Sequence, residues 1–167
     1  MIDVAERQRL IRVALGVEPA DMVIAGGRVV NVFTRELVAA DVVVAGERVA
    51  ALAQPGDYRI GDETELIDAD GRVVAPGLVD PHLHVESSNL TVTELARAIV
   101  PRGVLSVCED PHEIANVLGL AGIELLAAEA AGLPLNFFLR VPGRVPAMPP
   151  HLETSGHALT AGDIATL

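Results

Sequence analysis

Two histidines one residue apart, His82 and His84, with Glu86 next in the same spacing, are residues whose types could do chemistry. On an extended strand alternate side chains share a face, so these three would line one side while Leu83 and Val85 line the other. Two imidazoles so placed can reach one divalent cation together, with a carboxylate next along that face. A second cluster, Glu109-Asp110-Pro111-His112-Glu113, is almost entirely ionisable. A divalent cation held by imidazoles and carboxylates lowers the pKa of bound water and supplies hydroxide near neutral pH, so the matching chemistry is metal-assisted hydrolysis. Ordinary uses compete with it. His82 and His84 could be surface histidines, and Glu109 and Glu113 could sit at a helix N-terminus, where acids favour the macrodipole. Arg140 and Arg144 read as solvated or paired charges, and His151 and His157 lie in irregular sequence without a signal.

The elements that must position these residues follow from the spacing of apolar positions. After Pro76 the chain alternates strand and helix: a strand through Leu78–Val85, a helix from Thr91, a strand over 103–108, one helix over 116–131 and a strand over 135–141. Thr91 and Glu94 form a capping-box pattern, and Pro101 with Gly103 closes that helix. A Pro-rich loop follows over 142–150, and Thr160-Ala161-Gly162-Asp163 caps a last helix. Such alternation with short links predicts parallel strands and right-handed crossovers. Both chemical clusters then fall at or just beyond the carboxyl ends of strands, where parallel α/β folds gather function.

The first half has a different rhythm. Residues 2–15 predict a helix capped by Asp3 and stopped at Gly16. Between Asp21 and Val74, short Val-rich runs at 22–24, 28–32, 41–44, 48–52 and 66–68 alternate with turns at Gly26-Gly27, 34–36, Gly46-Glu47 and Asp70-Gly71. They predict a small antiparallel sheet or half-sandwich. The expected divisions are 1–20 for the N-terminal helix, 21–75 for an incomplete sandwich-like domain and 76–167 for the α/β portion.

Composition narrows the function. The chain has 167 residues, half of them hydrophobic but only 2% aromatic, so the core must be built from Val, Leu, Ile and Ala. A net charge of −11 opposes binding to nucleic acid or to an anionic membrane. Cys108, the single cysteine, excludes an intrachain disulfide; in an apolar run it reads as a buried inert thiol in a reducing, cytoplasmic setting. There is no Gly-x-Ser-x-Gly elbow, no phosphate-binding Gly-x-x-x-x-Gly-Lys loop and no dinucleotide fingerprint. A cytidine-deaminase-type zinc signature needs more cysteines than this chain has.

The stretches "VVAPGLVDPHLHVESS" and "EDPHEIANVLGLAGIELL" resemble the amidohydrolase superfamily and, within it, the adenine deaminase family. The resemblance extends over nearly the whole chain. It implies a partial β-sandwich followed by the first three β/α units of a metal-dependent hydrolase TIM barrel, truncated, since a complete barrel takes about 250 residues. It implies hydrolysis of adenine, a small purine base, to hypoxanthine and ammonia at a divalent metal centre, typically binuclear manganese or iron, with zinc an alternative. His82 and His84 carry over as metal ligands; Glu86, Asp110, His112 and Glu113 carry over as residues around metal and substrate with roles unassigned. A homo-oligomer is expected of the full-length enzyme, and the 167-residue chain alone is expected to be an inactive fragment. Departures from the family pattern are Pro81, Asn89 and Gly143-Arg144. Two alternatives stand beside this: an amidohydrolase acting on another cyclic amide or amidine, and a non-catalytic truncated chain that partners another polypeptide.

Overall fold

The computed structural model describes residues 2–149 and 151–167, in two compact units that meet in sequence at Pro76 and Gly77. The first unit opens with α1 (Val4–Ala14), where Asp3 Oδ1 accepts the Glu6 amide at 2.7 Å as an N-cap. Seven strands follow: β1 (Met22–Ala25), β2 (Arg28–Asn31), β3 (Glu36–Ala39), β4 (Asp41–Ala45), β5 (Arg48–Ala53), β6 (Glu65–Asp68) and β7 (Val73–Val74). They form two sheets, ordered β5-β4-β1-β6 and β3-β2-β7.

The sheets are mixed, not antiparallel as the short runs predict. β1 is antiparallel to β4 but parallel to β6, and β2 is antiparallel to β3 but parallel to β7. The chain steps from one sheet to the other at Gly26-Gly27 and repeats that step beside itself between β6 and β7. The two corners run so close that a Cβ on Gly27 would sit 2.7 Å from Val74 Cγ2. β3 and β7 were not among the expected strands. The turn expected at 34–36 lies at 32–35, because Asn31 Oδ1 collects the amides of Phe33 and Thr34 and Arg35 takes φ +62°. Alternation on β4 splits the core: Val43 and Ala45 pack with Val13 of α1, while Val42 packs with Val29 of the other sheet.

The second unit carries β8 (Leu78–Leu83), β9 (Val104–Glu109) and β10 (Asn136–Leu139), all parallel in the order β10-β9-β8. α2 (Val92–Ile99) and α4 (Leu120–Ala130) cover this sheet through Val92, Leu95 and Leu126. Thr91 caps α2 by accepting the Glu94 amide, and the Glu129 carboxylate accepts the amides of Val92 and Thr93 from outside. The single helix expected over 116–131 is two helices, α3 (His112–Leu118) and α4, and helix begins four residues earlier than predicted. Gly119 breaks them with φ +64° and ψ −142°, backbone angles that only glycine holds without strain. The chain then loops through a stretch whose last expected residue, Pro150, lies outside the described residues. It ends in α5 (Ala161–Thr166), whose Thr160–Asp163 capping box is formed in both directions.

Candidate metal centre

Strand register places the site. Glu109 of β9 lies level with Leu83 of β8 and Leu139 of β10. Backbone bonds from Asp110 to Leu83 and from Arg140 to Glu109 carry the ladder one residue further. His84, Asp110 and Arg140 therefore stand in a row just past the carboxyl ends of three adjacent strands.

Within β8 the pairing with β9 shifts between Asp80 and Leu83, where Pro81 has no amide to give the ladder. The bulge re-aims His82, and its Nε2 comes to 3.0 Å from Nε2 of His84. His84 Nδ1 lies 2.7 Å from the carbonyl oxygen of Asp110, which can only accept. Nδ1 therefore carries the proton and Nε2 presents its lone pair. On the other side the His112 ring stands edgewise to His84, with centroids 4.6 Å apart. One donor atom each from His84, His112 and Glu113 lie within 4.8 Å of one another, a spacing that a cation could bridge. His84 thus belongs to two donor groups, the pair with His82 and the triad with His112 and Glu113. Imidazole nitrogens plus a carboxylate suit a divalent transition metal.

Glu86 is placed differently from the strand-face expectation. β8 ends at Leu83, and residues Glu86–Ser88 form a 3₁₀ turn, so Glu86 does not follow His82 and His84 along a face. Its Oε1 accepts the Ile114 amide at 2.8 Å, so it is Glu86 that caps α3. Glu113 lies in the first turn of α3 and accepts the Ser87 hydroxyl at 2.6 Å. Asp110 sits half-buried with Oδ1 3.6 Å from His112 Nδ1.

Two residues here were undervalued in the sequence. Glu109 also read as a helix-terminal acid, yet its side chain is fully buried, accepts the Val85 amide at 2.9 Å on Oε2 and leaves Oε1 without a partner among the described residues. Burial first, and the Glu86 carboxyl second, push its carboxyl pKa up to about 8. Arg140 read as a solvated or paired charge, and its Nη1 lies 2.9 Å from His82 Nδ1. A charged residue at the carboxyl end of a strand in a parallel sheet, last in β9 for Glu109 and next after β10 for Arg140, was the available signal. Cys108 is half-buried on β9 rather than buried.

The Amidohydrolase family model matches residues 73–165. The chain belongs to the amidohydrolase family. Among its relatives, "Adenine deaminase 3" of Rhizobium meliloti is 48% identical over 157 residues, 93% of this chain and 26% of the relative. An adenine deaminase of Moorella thermoacetica is 49% identical over 160 residues, 95% of this chain and 26% of its own length. The chain thus spans about a quarter of the length of these curated amidohydrolases. An N-acyl-D-glutamate deacylase structure from Bordetella bronchiseptica, complexed with zinc and a phosphonate inhibitor, aligns with a TM-score of 0.56. It covers 87% of this chain and 34% of its own at 24% identity, a likeness of fold alone. Among the described residues no helix is long and apolar enough to cross a membrane.

Proposed function

We propose that this chain carries the first metal ligands and the flanking polar groups of an adenine-deaminase-like hydrolase, which converts adenine and water to hypoxanthine and ammonia. The observation that carries the reading is the convergence of His82 and His84 at Nε2 beside His112 and Glu113, at the strand ends of a chain 48% identical to a named adenine deaminase. His82 and His84 would hold a divalent cation, manganese or iron as one of a pair, with zinc the alternative. When bound, that cation supplies Lewis-acid activation of water. His112, held near Asp110, is placed to take and return a proton, and Asp110 orients the imidazole. Glu113, steadied by Ser87, faces the same space and suits a ring nitrogen of a purine base. Glu86 acts as a positioning residue through α3 instead of touching substrate. A cytoplasmic setting and self-association of the longer enzyme complete the proposal.

Metal content and turnover test it together. The purified chain is expected to bind Mn²⁺ or Zn²⁺ and to lose most of that binding in His84→Ala, because both donor groups share His84. It is expected not to deaminate adenine alone, since the described residues supply the site from three adjacent strands only. Unchanged metal content in His84→Ala removes the metal-centre reading, and adenine turnover by the 167-residue chain removes the requirement for further groups. Turnover of another cyclic amide or amidine, with adenine untouched, favours the wider family over the adenine reading.

A further inference from the structure

The polar contacts around His82 leave no freedom in where its proton sits. Arg140 has only N–H donors, so at 2.9 Å His82 Nδ1 must accept. A neutral imidazole accepting at Nδ1 carries its hydrogen at Nε2. At the other end the Asp110 carbonyl can only accept, so His84 donates from Nδ1 and its Nε2 must accept. The 3.0 Å contact between the rings is then a bond from His82 Nε2–H to His84 Nε2. A donor-only guanidinium and an acceptor-only carbonyl thus set a one-way chain: Arg140 to His82 to His84 to the Asp110 carbonyl.

This chain conflicts with cation binding at one end. His84 already presents a lone pair at Nε2, but His82 presents a hydrogen there. A neutral His82 ring with a cation at Nε2 needs its hydrogen at Nδ1, which would point donor to donor at Arg140. No carboxylate among the described residues pairs with Arg140, which is exposed beyond β10. Little therefore holds the guanidinium except the imidazole. We propose that Arg140 is a positioning residue that competes with the cation for His82: it locks the metal-free pair, and cation binding releases its guanidinium at the mouth of the site. The proposal rests on His82 and His84 being cation ligands, and its test separates the two ideas.

Long-range ¹H–¹⁵N spectra of the histidine rings at pH 8, with Zn²⁺ added as the diamagnetic probe, read the tautomer directly. In the metal-free wild-type chain His82 is expected to carry its hydrogen at Nε2; with Zn²⁺ it is expected to switch to Nδ1–H with Nε2 coordinated. Zn²⁺ affinity, by competition with a chelating dye, is expected to rise about tenfold in Arg140→Met, the scale on which partners of metal ligands act. Arg140→Lys, which keeps a donor-only cation, is expected to stay near wild type. A metal-free His82 protonated at Nδ1, a loaded His82 that keeps Nδ1 unprotonated, or equal affinity in wild type and Arg140→Met each overturns the competition. Failure of both wild type and Arg140→Met to bind Zn²⁺ overturns the metal-centre reading, while the metal-free tautomer still reports on the Arg140 contact.

Discussion

Glu109 is a fully buried carboxyl at the end of β9. It takes the Val85 amide on Oε2 and leaves Oε1 without a partner among the described residues, and Oε2 of Glu86 is likewise buried and unpartnered. Burial first, and the neighbouring Glu86 carboxyl second, hold the Glu109 carboxyl neutral, with its pKa pushed up to about 8. Folded protein therefore holds the carboxyl proton between about pH 4.5 and about 8, where the unfolded chain has released it. Stability from this group is fully present below about pH 4.5 and is lost as pH rises through about 8. Glu109→Gln, which keeps a donor and an acceptor without ionising, is expected to flatten that loss in urea unfolding at pH 5 and pH 8.5. Glu109→Ala is expected to lower stability at both pH values by about 1–3 kcal/mol, since it strips the acceptor from the buried Val85 amide. An unchanged pH slope in Glu109→Gln contradicts a proton retained on Glu109.

At the scale of elements, the α3–α4 break matters most because α3 carries His112 and Glu113. A side chain on Gly119 meets two obstacles: the positive φ, and the His157 ring, 3.1 Å from where a Cβ would stand. Gly119→Ala is expected to cost about 1–3 kcal/mol in urea unfolding. A second prediction concerns α2, whose first amides are shared between Thr91 and Glu129. Thr91→Ala alone is expected to cost about 1 kcal/mol. The pair with Glu129→Ala is expected to be non-additive, because both carboxylate and hydroxyl serve one helix end. Capping residues at 3, 91 and 160 were legible because their partners are three residues away. The break at Gly119 was not, since an Ala- and Leu-rich run on both sides masks one glycine, and His157 lies far along the chain.

At the scale of the whole molecule, apolar surface is the dominant fact. In the first unit a depression of roughly 400 Å³ is lined by Val30, Val32, Phe33, Val49 and Leu52, and Phe33 is 94% exposed. In the second unit β8 and β10 are the edge strands among the described residues, and Leu78, Val79 and Phe138 are exposed although parallel sheets ordinarily bury both faces. The 167-residue chain is expected to self-associate at micromolar concentration despite its net charge. Static light scattering should show mass rising with concentration, reduced in Phe33→Asp. A concentration-independent monomer, with no binding of an apolar dye, refutes this.

Local information in the sequence determined the elements with short-range signals: the short apolar runs of β1, β4 and β9, the three threonine and aspartate caps, and the clustering of His82, His84, Asp110, His112 and Glu113 at strand ends. Only tertiary structure decided what those residues face. The bulge at Pro81 and the register of three strands bring His82 to His84 and Arg140 to His82, and a turn after Leu83 sends Glu86 to α3 instead of the strand face. Each of these depends on groups between 26 and 58 positions apart, or on where a backbone ladder stops. Neither is written in the spacing of neighbouring residues.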